Sequence, residues 1–172
     1  MKLIPMVLVV SLCLPAASVR AQTVTDAQIA AIVVVANQVD IDAGLLAESK
    51  ASTENVKGFA QVMVIEHTDV NKQATDLVAS LTVTSQDNPT SQSLKTGGEQ
   101  NVAHLKTLSG AAFDKAYIDH EVTYHELVLK TLDTTLIPNA QNAELKALLV
   151  EVRPVFVRHL EHAKRVQTTL AK

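Results

Sequence analysis

The chain has 172 residues, a formal charge of -3, a single cysteine and no tryptophan. No basic tract is present, which excludes a surface built for nucleic acid or anionic lipid, and aromatics at 3% are too sparse for base stacking or a carbohydrate platform. Few Gly and Pro among many Ala, Val, Leu, Gln, Glu and Lys read as an all-helical domain.

The first stretch, "MKLIPMVLVVSLCLPAASVRA", has the layout of a secretory signal peptide. Lys2 supplies the positive start, Ile4 to Leu14 the apolar run, and Val19-Arg20-Ala21 the small-residue cleavage site. The run is short for a bilayer span, so removal after Ala21 is expected rather than an uncleaved anchor. Cys13 lies inside this leader in the context "VSLC", without the small residue that precedes a lipidated cysteine, so no lipid anchor is expected. The mature chain, 22–172, then has no thiol, no disulfide and no cysteine ligand. Loss of Lys2 and Arg20 moves its formal charge from -3 to -5. The expected location is the periplasm or another exported compartment, with envelope association as a variant and no membrane span in the mature form.

Four long periodic segments follow. The first runs from about Asp26 to Ala51 with Thr25 or Asp26 as its N-cap, and the second from about Thr53 to Leu81 behind the capping side chains of "STEN". The polar turn "TVTSQDNPTSQ" leads to a weaker helical piece, "SLKTGGEQNVAHLKTL", which Gly97-Gly98 is expected to break or bend. A third long helix is predicted from about Ala111 to Leu136 and a fourth from about Ala143 to Leu170, the latter kinked by Pro154. Short links within the first and last pairs and a long link between them predict two antiparallel hairpins joined by a crossover with a short extra helix. That is a single four-helix bundle of ferritin-like connectivity over 22–172.

Each long helix carries an apolar seam at steps of four and three, and each seam is interrupted once. The first reads Ile29, Val33, Ala36, Asp40, Ala43, Ala47; the second, Val56, Ala60, Met63, His67, Val70, Ala74. The third reads Ile118, Val122, His125, Leu129, Leu132, and the fourth Leu149, Val152, Phe156, His159, Ala163. Asp40, His67, His125 and His159 all lie near the middle of their helices, so they are expected to converge on one layer. A buried carboxylate without a cation or donors costs several kcal/mol or more. Three imidazoles and one carboxylate complete a coordination shell for a divalent transition metal. Glu121, four residues before His125, is read as an acceptor orienting that ring, and His162 as an alternate ligand one turn beyond His159. Glu66 and Asp69 are expected to face solvent, Tyr117 and Tyr124 to pack, and His104 and His120 receive no role.

The combination "FAQVMVIEHTDVNKQ", "LSGAAFDKAYIDHEVTYHE" and "RPVFVRHLEHA" resembles a bacterial family of unknown function in the ferritin-like superfamily, whose members are labelled outer-membrane proteins. The resemblance covers about Asp26 to Leu170 and falls on Glu66-His67, Phe113-Asp114-x-x-Tyr117, His125 and Pro154 to His159. The family more often has Asp before the first histidine and Glu where Asp40 stands. The resemblance implies an exported helical bundle and supplies no reaction. An outer-membrane barrel is not expected, because the helices are amphipathic and no strand pattern appears.

Two functions of different class remain open. One is a bundle binding a single transition metal through Asp40, His67, His125 and His159, with zinc as the first ion and iron, manganese or copper as alternatives. The other is a metal-free envelope or stress-related interaction module whose buried Asp/His layer only fixes register. A di-iron carboxylate centre is not expected, since neither His67 nor His125 has a Glu three residues before it. Four protein ligands favour binding over an enzyme.

Overall fold

The computed structural model describes residues 24–81 and 83–171; the expected signal peptide, 1–21, lies outside the described residues. Within them the chain forms α1 (Asp26–Lys50), α2 (Glu54–Ser80), α3 (Pro89–Lys106), α4 (Gly110–Thr131), a π-helical turn (Leu132–Leu136), the short α5 (Ile137–Asn139) and α6 (Ala143–Leu170). The described residues contain no strand, as the composition predicts.

Thr25 caps α1 through a reciprocal pair with Gln28: its hydroxyl accepts the Gln28 N–H at 3.3 Å, while Gln28 Oε1 accepts the Thr25 N–H at 3.1 Å. The start of α2 is satisfied differently from the sequence expectation. Thr53 makes no side-chain cap; instead the Asp114 carboxylate of α4 accepts the N–H groups of Ser52 and Thr53 at 2.8 and 2.9 Å and the Ser52 hydroxyl at 2.8 Å. Asp26 plays the matching part at the other end, accepting the Gln141 and Asn142 N–H groups at 2.9 Å each. Asp114 thus ties the start of α4 to the α1–α2 turn, and Asp26 ties the start of α1 to the α5–α6 turn.

Residue pairing fixes the directions. Going along α1, Asp40 meets His67 and Gly44 lies against Val64, so α1 and α2 are antiparallel. Glu126 pairs with Lys164 and Asp133 with Arg153, so α4 and α6 are antiparallel too. Contacts α1·α2, α2·α6, α4·α6 and α1·α4 close the ring of long helices, and α3 lies outside it along α1.

The α3 helix corrects two expectations. It is an 18-residue helix rather than a short piece, and it runs unbroken through Gly97-Gly98. The reason is tertiary. A Cβ at Gly98 would stand 2.6 Å from Val39 Cγ2, so the missing side chain lets α3 settle on α1 and offsets the roughly 1 kcal/mol that glycine costs a helix. Asn88 caps α3 by accepting the Thr90 and Ser91 N–H groups at 3.0 and 3.1 Å, with Pro89 in the first turn. The third predicted helix also differs at its end: residues 132–136 widen into a π turn, in which the Ile137 N–H reaches Leu132 O. α6 continues through Pro154, and Val150, whose carbonyl Pro154 leaves without its helical partner, occupies an exposed position.

The apolar core is divided in two. One cluster gathers Ile32, Val33, Val70, Leu132, Leu149 and Phe156, and the other Ala47, Phe59, Met63, Phe113, Ile118 and Ala163. On every long helix of the ring at least one buried polar side chain lies between them: Asn37 and Asp40, His67, Glu121 and His125, and His159.

Candidate metal centre

Asp40, His67, His125 and His159 are all buried, with 1–2% of each residue exposed. The ligand atoms of His67, His125 and His159 lie within 4.8 Å of one another, and those of Asp40, Glu121 and His125 do the same. Two triads therefore share His125. The layer expected from the seams is present, and Glu121 lies inside it rather than beside it, fully buried one turn before His125.

The hydrogen bonds set each ring's protonation. Asn37 donates Nδ2–H to Val33 O at 2.8 Å, which turns its Oδ1 toward His67 Nδ1 at 2.8 Å. His67 is then protonated on Nδ1, and Nε2 keeps its lone pair. His125 Nδ1 donates to Glu121 O at 3.0 Å, so its Nε2 also keeps a lone pair, and this atom is buried without a hydrogen-bond partner. His159 Nε2 lies 2.9 Å from Glu66 Oε2, a carboxylate that must be met by N–H, which leaves Nδ1 facing His67 Nε2 at 3.2 Å. Each imidazole thus has its outer nitrogen held by a named acceptor and its other nitrogen turned to the centre, the arrangement that orients histidine ligands around a metal. Phe156 stacks on the His67 ring, with centroids 5.2 Å apart and planes 11° from parallel.

Burial pushes the rings toward neutrality. His67 is lowered well below its ordinary value by desolvation and then by His125 and His159, and His125 falls to about 3, chiefly by desolvation. His159 is lowered by burial, with the Glu66 contact opposing it. Neutral imidazoles are the coordinating form.

The carboxylates are under the opposite pressure. Desolvation raises Asp40 to about 8 and, with the adjacent Asp40 charge, Glu121 well above the usual range. Asp40 Oδ1 and both Glu121 oxygens are buried with no donor from another side chain or the backbone, and the two carboxyls lie within hydrogen-bonding reach of each other. Asp40 Oδ2 stands 3.6 Å from His67 Nε2, too far for a hydrogen bond and opposite an unprotonated nitrogen, so this contact is not an ion pair. Shared protons or a cation are the two ways to satisfy this acidic pair.

His162 does not join the cluster; it is partly exposed and packs edge-on against Phe59 at 5.1 Å. Glu66 corrects the expectation of a solvent residue, since its carboxylate reaches the buried His159. Asn37 escaped the sequence reading because an amide off the seam of an apolar helix gives no motif; its spacing of three before Asp40 was the only available signal. Tyr124 donates its hydroxyl to Ala36 O at 3.0 Å, whereas the Tyr117 hydroxyl is buried without a partner. His120 stacks on Tyr124 at 5.6 Å.

Over residues 12–166 the chain matches the family described as Domain of unknown function (DUF4142), and it belongs to that family. No curated protein and no solved structure matches it.

Proposed function

We propose that this chain is an exported helical protein that holds one divalent transition-metal ion in its core, through His67 Nε2, His125 Nε2, His159 Nδ1 and the Asp40 carboxylate. One observation carries the reading: three mutually adjacent imidazoles have their outer nitrogens held by Asn37, the Glu121 carbonyl and Glu66, so that three lone pairs are left for one centre. The adjacent buried acids Asp40 and Glu121 add support, because two ionised carboxylates beside His125 would be neutralised by one divalent cation. Three imidazole nitrogens and a carboxylate suit zinc first, with iron, manganese or copper as alternatives. Four protein ligands fill a tetrahedral ion, so the role is binding or structure rather than catalysis. Export is supported by the layout of residues 1–21, and ferritin-like connectivity by two antiparallel hairpins joined through α3.

One observation favours the metal-free alternative. If His159 carries both protons, it can donate to Glu66 and to His67 at once, closing the layer without an ion. Cobalt(II) separates the two readings. Stoichiometric cobalt with intense visible d–d bands, abolished in His125→Ala and displaced by zinc, is the expected result. A colourless protein with an unchanged melting curve would leave the layer as a structural polar seam.

A further inference from the structure

We propose that Glu66 is also the entry ligand of this centre. The ion reaches the histidine layer from solvent through the α2–α6 seam, by way of the Glu66 carboxylate and the His159 ring. This inference rests on the metal reading above and adds a route to it.

Burial singles out the seam. The side chains of Asp40, His67, Glu121 and His125 are no more than 3% exposed, and Asn37 and Phe156 are buried as well. Among the side chains that bond or pair with the three rings, Glu66 alone is partly open to solvent. The two apolar clusters flank the layer along the bundle, and crossing either without ligands carries the full desolvation cost of an ion. Approach from the side, past Glu66, offers a carboxylate oxygen first and an imidazole next. α2 and α6 also belong to different hairpins, so no short turn joins them.

Glu66 is arranged for capture. Its contacts to His159 Nε2 at 2.9 Å and to Arg158 Nη2 at 3.5 Å both use Oε2, which leaves Oε1 for an ion arriving from solvent. There the hydrated ion exchanges a water for Oε1. It then passes inward as the ring turns, exchanging that oxygen for the inner nitrogens. His159 keeps its Nε2 proton throughout and renews its bond to Glu66 behind the ion. Arg158, whose side chain is 63% exposed, sets a positive charge beside the capturing carboxylate and opposes the approach of a cation.

Cobalt(II) uptake and release, followed by the visible bands after rapid mixing, test the route in the wild-type protein and three variants. Glu66→Gln keeps an acceptor for His159 but removes the charge, and uptake is expected to slow about tenfold. Arg158→Gln should speed uptake several-fold at low ionic strength, with the gain fading at high salt. Glu126→Gln removes an acid from the α4–α6 seam, where it pairs with Lys164, and should take up cobalt at the wild-type rate. Wild-type uptake in Glu66→Gln, with release alone altered, makes Glu66 an orienting group only and overturns the route. Equal slowing in Glu126→Gln overturns it too, because overall charge would then be what draws the ion. Unchanged uptake in Arg158→Gln at low salt overturns the part given to Arg158. Absence of cobalt bands at equilibrium in the wild type removes the metal reading and the route together, whereas full occupancy at rates indifferent to Glu66 removes the route alone.

Discussion

His159 Nε2 and Glu66 Oε2 meet at 2.9 Å across the α2–α6 contact, the ring almost sealed and the carboxylate side chain 38% exposed. Glu66 therefore joins a solvent-facing surface to the buried layer, and it holds the proton of His159 on the nitrogen away from the centre. Replacing such a partner typically costs about 10–100-fold in metal affinity. Glu66→Ala is expected to weaken zinc binding within that range in a competition titration. Equal affinity in the variant would mean that Glu66 does not orient the ring.

Asn37 holds His67 in the same way from α1. In Asn37→Leu the Nδ1–H loses its acceptor and the tautomer is no longer fixed, while a buried donor is left unsatisfied at a cost of about 1–3 kcal/mol. Both a lower urea midpoint and a weaker metal complex are expected. A variant as stable as the wild type would show that His67 finds another acceptor.

The acids give the metal-free protein a distinctive pH response. Between pH 6.5 and 8 the folded state keeps a proton on Asp40 that the unfolded chain, with a carboxyl near 3.8, has already released. The folded state binds more protons in that window, so metal-free stability falls as pH rises, by about 1.4 kcal/mol per pH unit for each group at most. Below 6.5 the histidines act in the opposite sense, because their lowered values make the unfolded chain the better proton acceptor. Metal binding displaces the carboxyl proton, so stabilisation by added zinc should grow from pH 6.5 to 8. Urea unfolding with and without zinc across this range measures both slopes; Asp40→Asn should flatten the first.

The two glycines of α3 should respond in opposite directions. A Cβ at Gly97 meets nothing within 4 Å, so Gly97→Ala gains helix propensity of up to about 1 kcal/mol. Gly98→Ala drives a methyl into Val39 and is expected to cost about 1–3 kcal/mol, with Val39→Ala recovering part of the loss. Thermal unfolding of the four variants decides it, and equal effects at the two positions would contradict the close α1–α3 packing.

Asp114 serves two backbone N–H groups and a hydroxyl at the α1–α2 turn. Asp114→Ala is expected to destabilise by about 2–4 kcal/mol and to raise amide exchange at Ser52 and Thr53. Protection unchanged at both amides would exclude this carboxylate as the anchor of the turn.

The seams were legible because a 3.6-residue repeat on four long segments leaves few faces to bury, and Asp40, His67, His125 and His159 interrupt it at similar depth. Within each hairpin their matched depth follows from helix length and a short turn. What holds the rings was not legible, since Glu66 sits on the next helical face and becomes a partner only when α6 packs beside α2. The same limit explains α3: the propensity cost of Gly97-Gly98 is local, while its compensation by Val39 lies 59 residues away. The π turn left no trace in the pattern, because Leu129, Leu132 and Leu136 keep the three-four spacing of an unbroken α-helix.

Metal content of the protein, expressed from the full sequence and purified without a histidine tag or chelator, tests the central claim most directly, measured by mass spectrometry beside His67→Ala/His159→Ala. The expected result is close to one divalent transition-metal ion per wild-type chain and none in the variant. No metal in either protein, with no shift in melting on adding zinc, copper, iron or manganese, would contradict it.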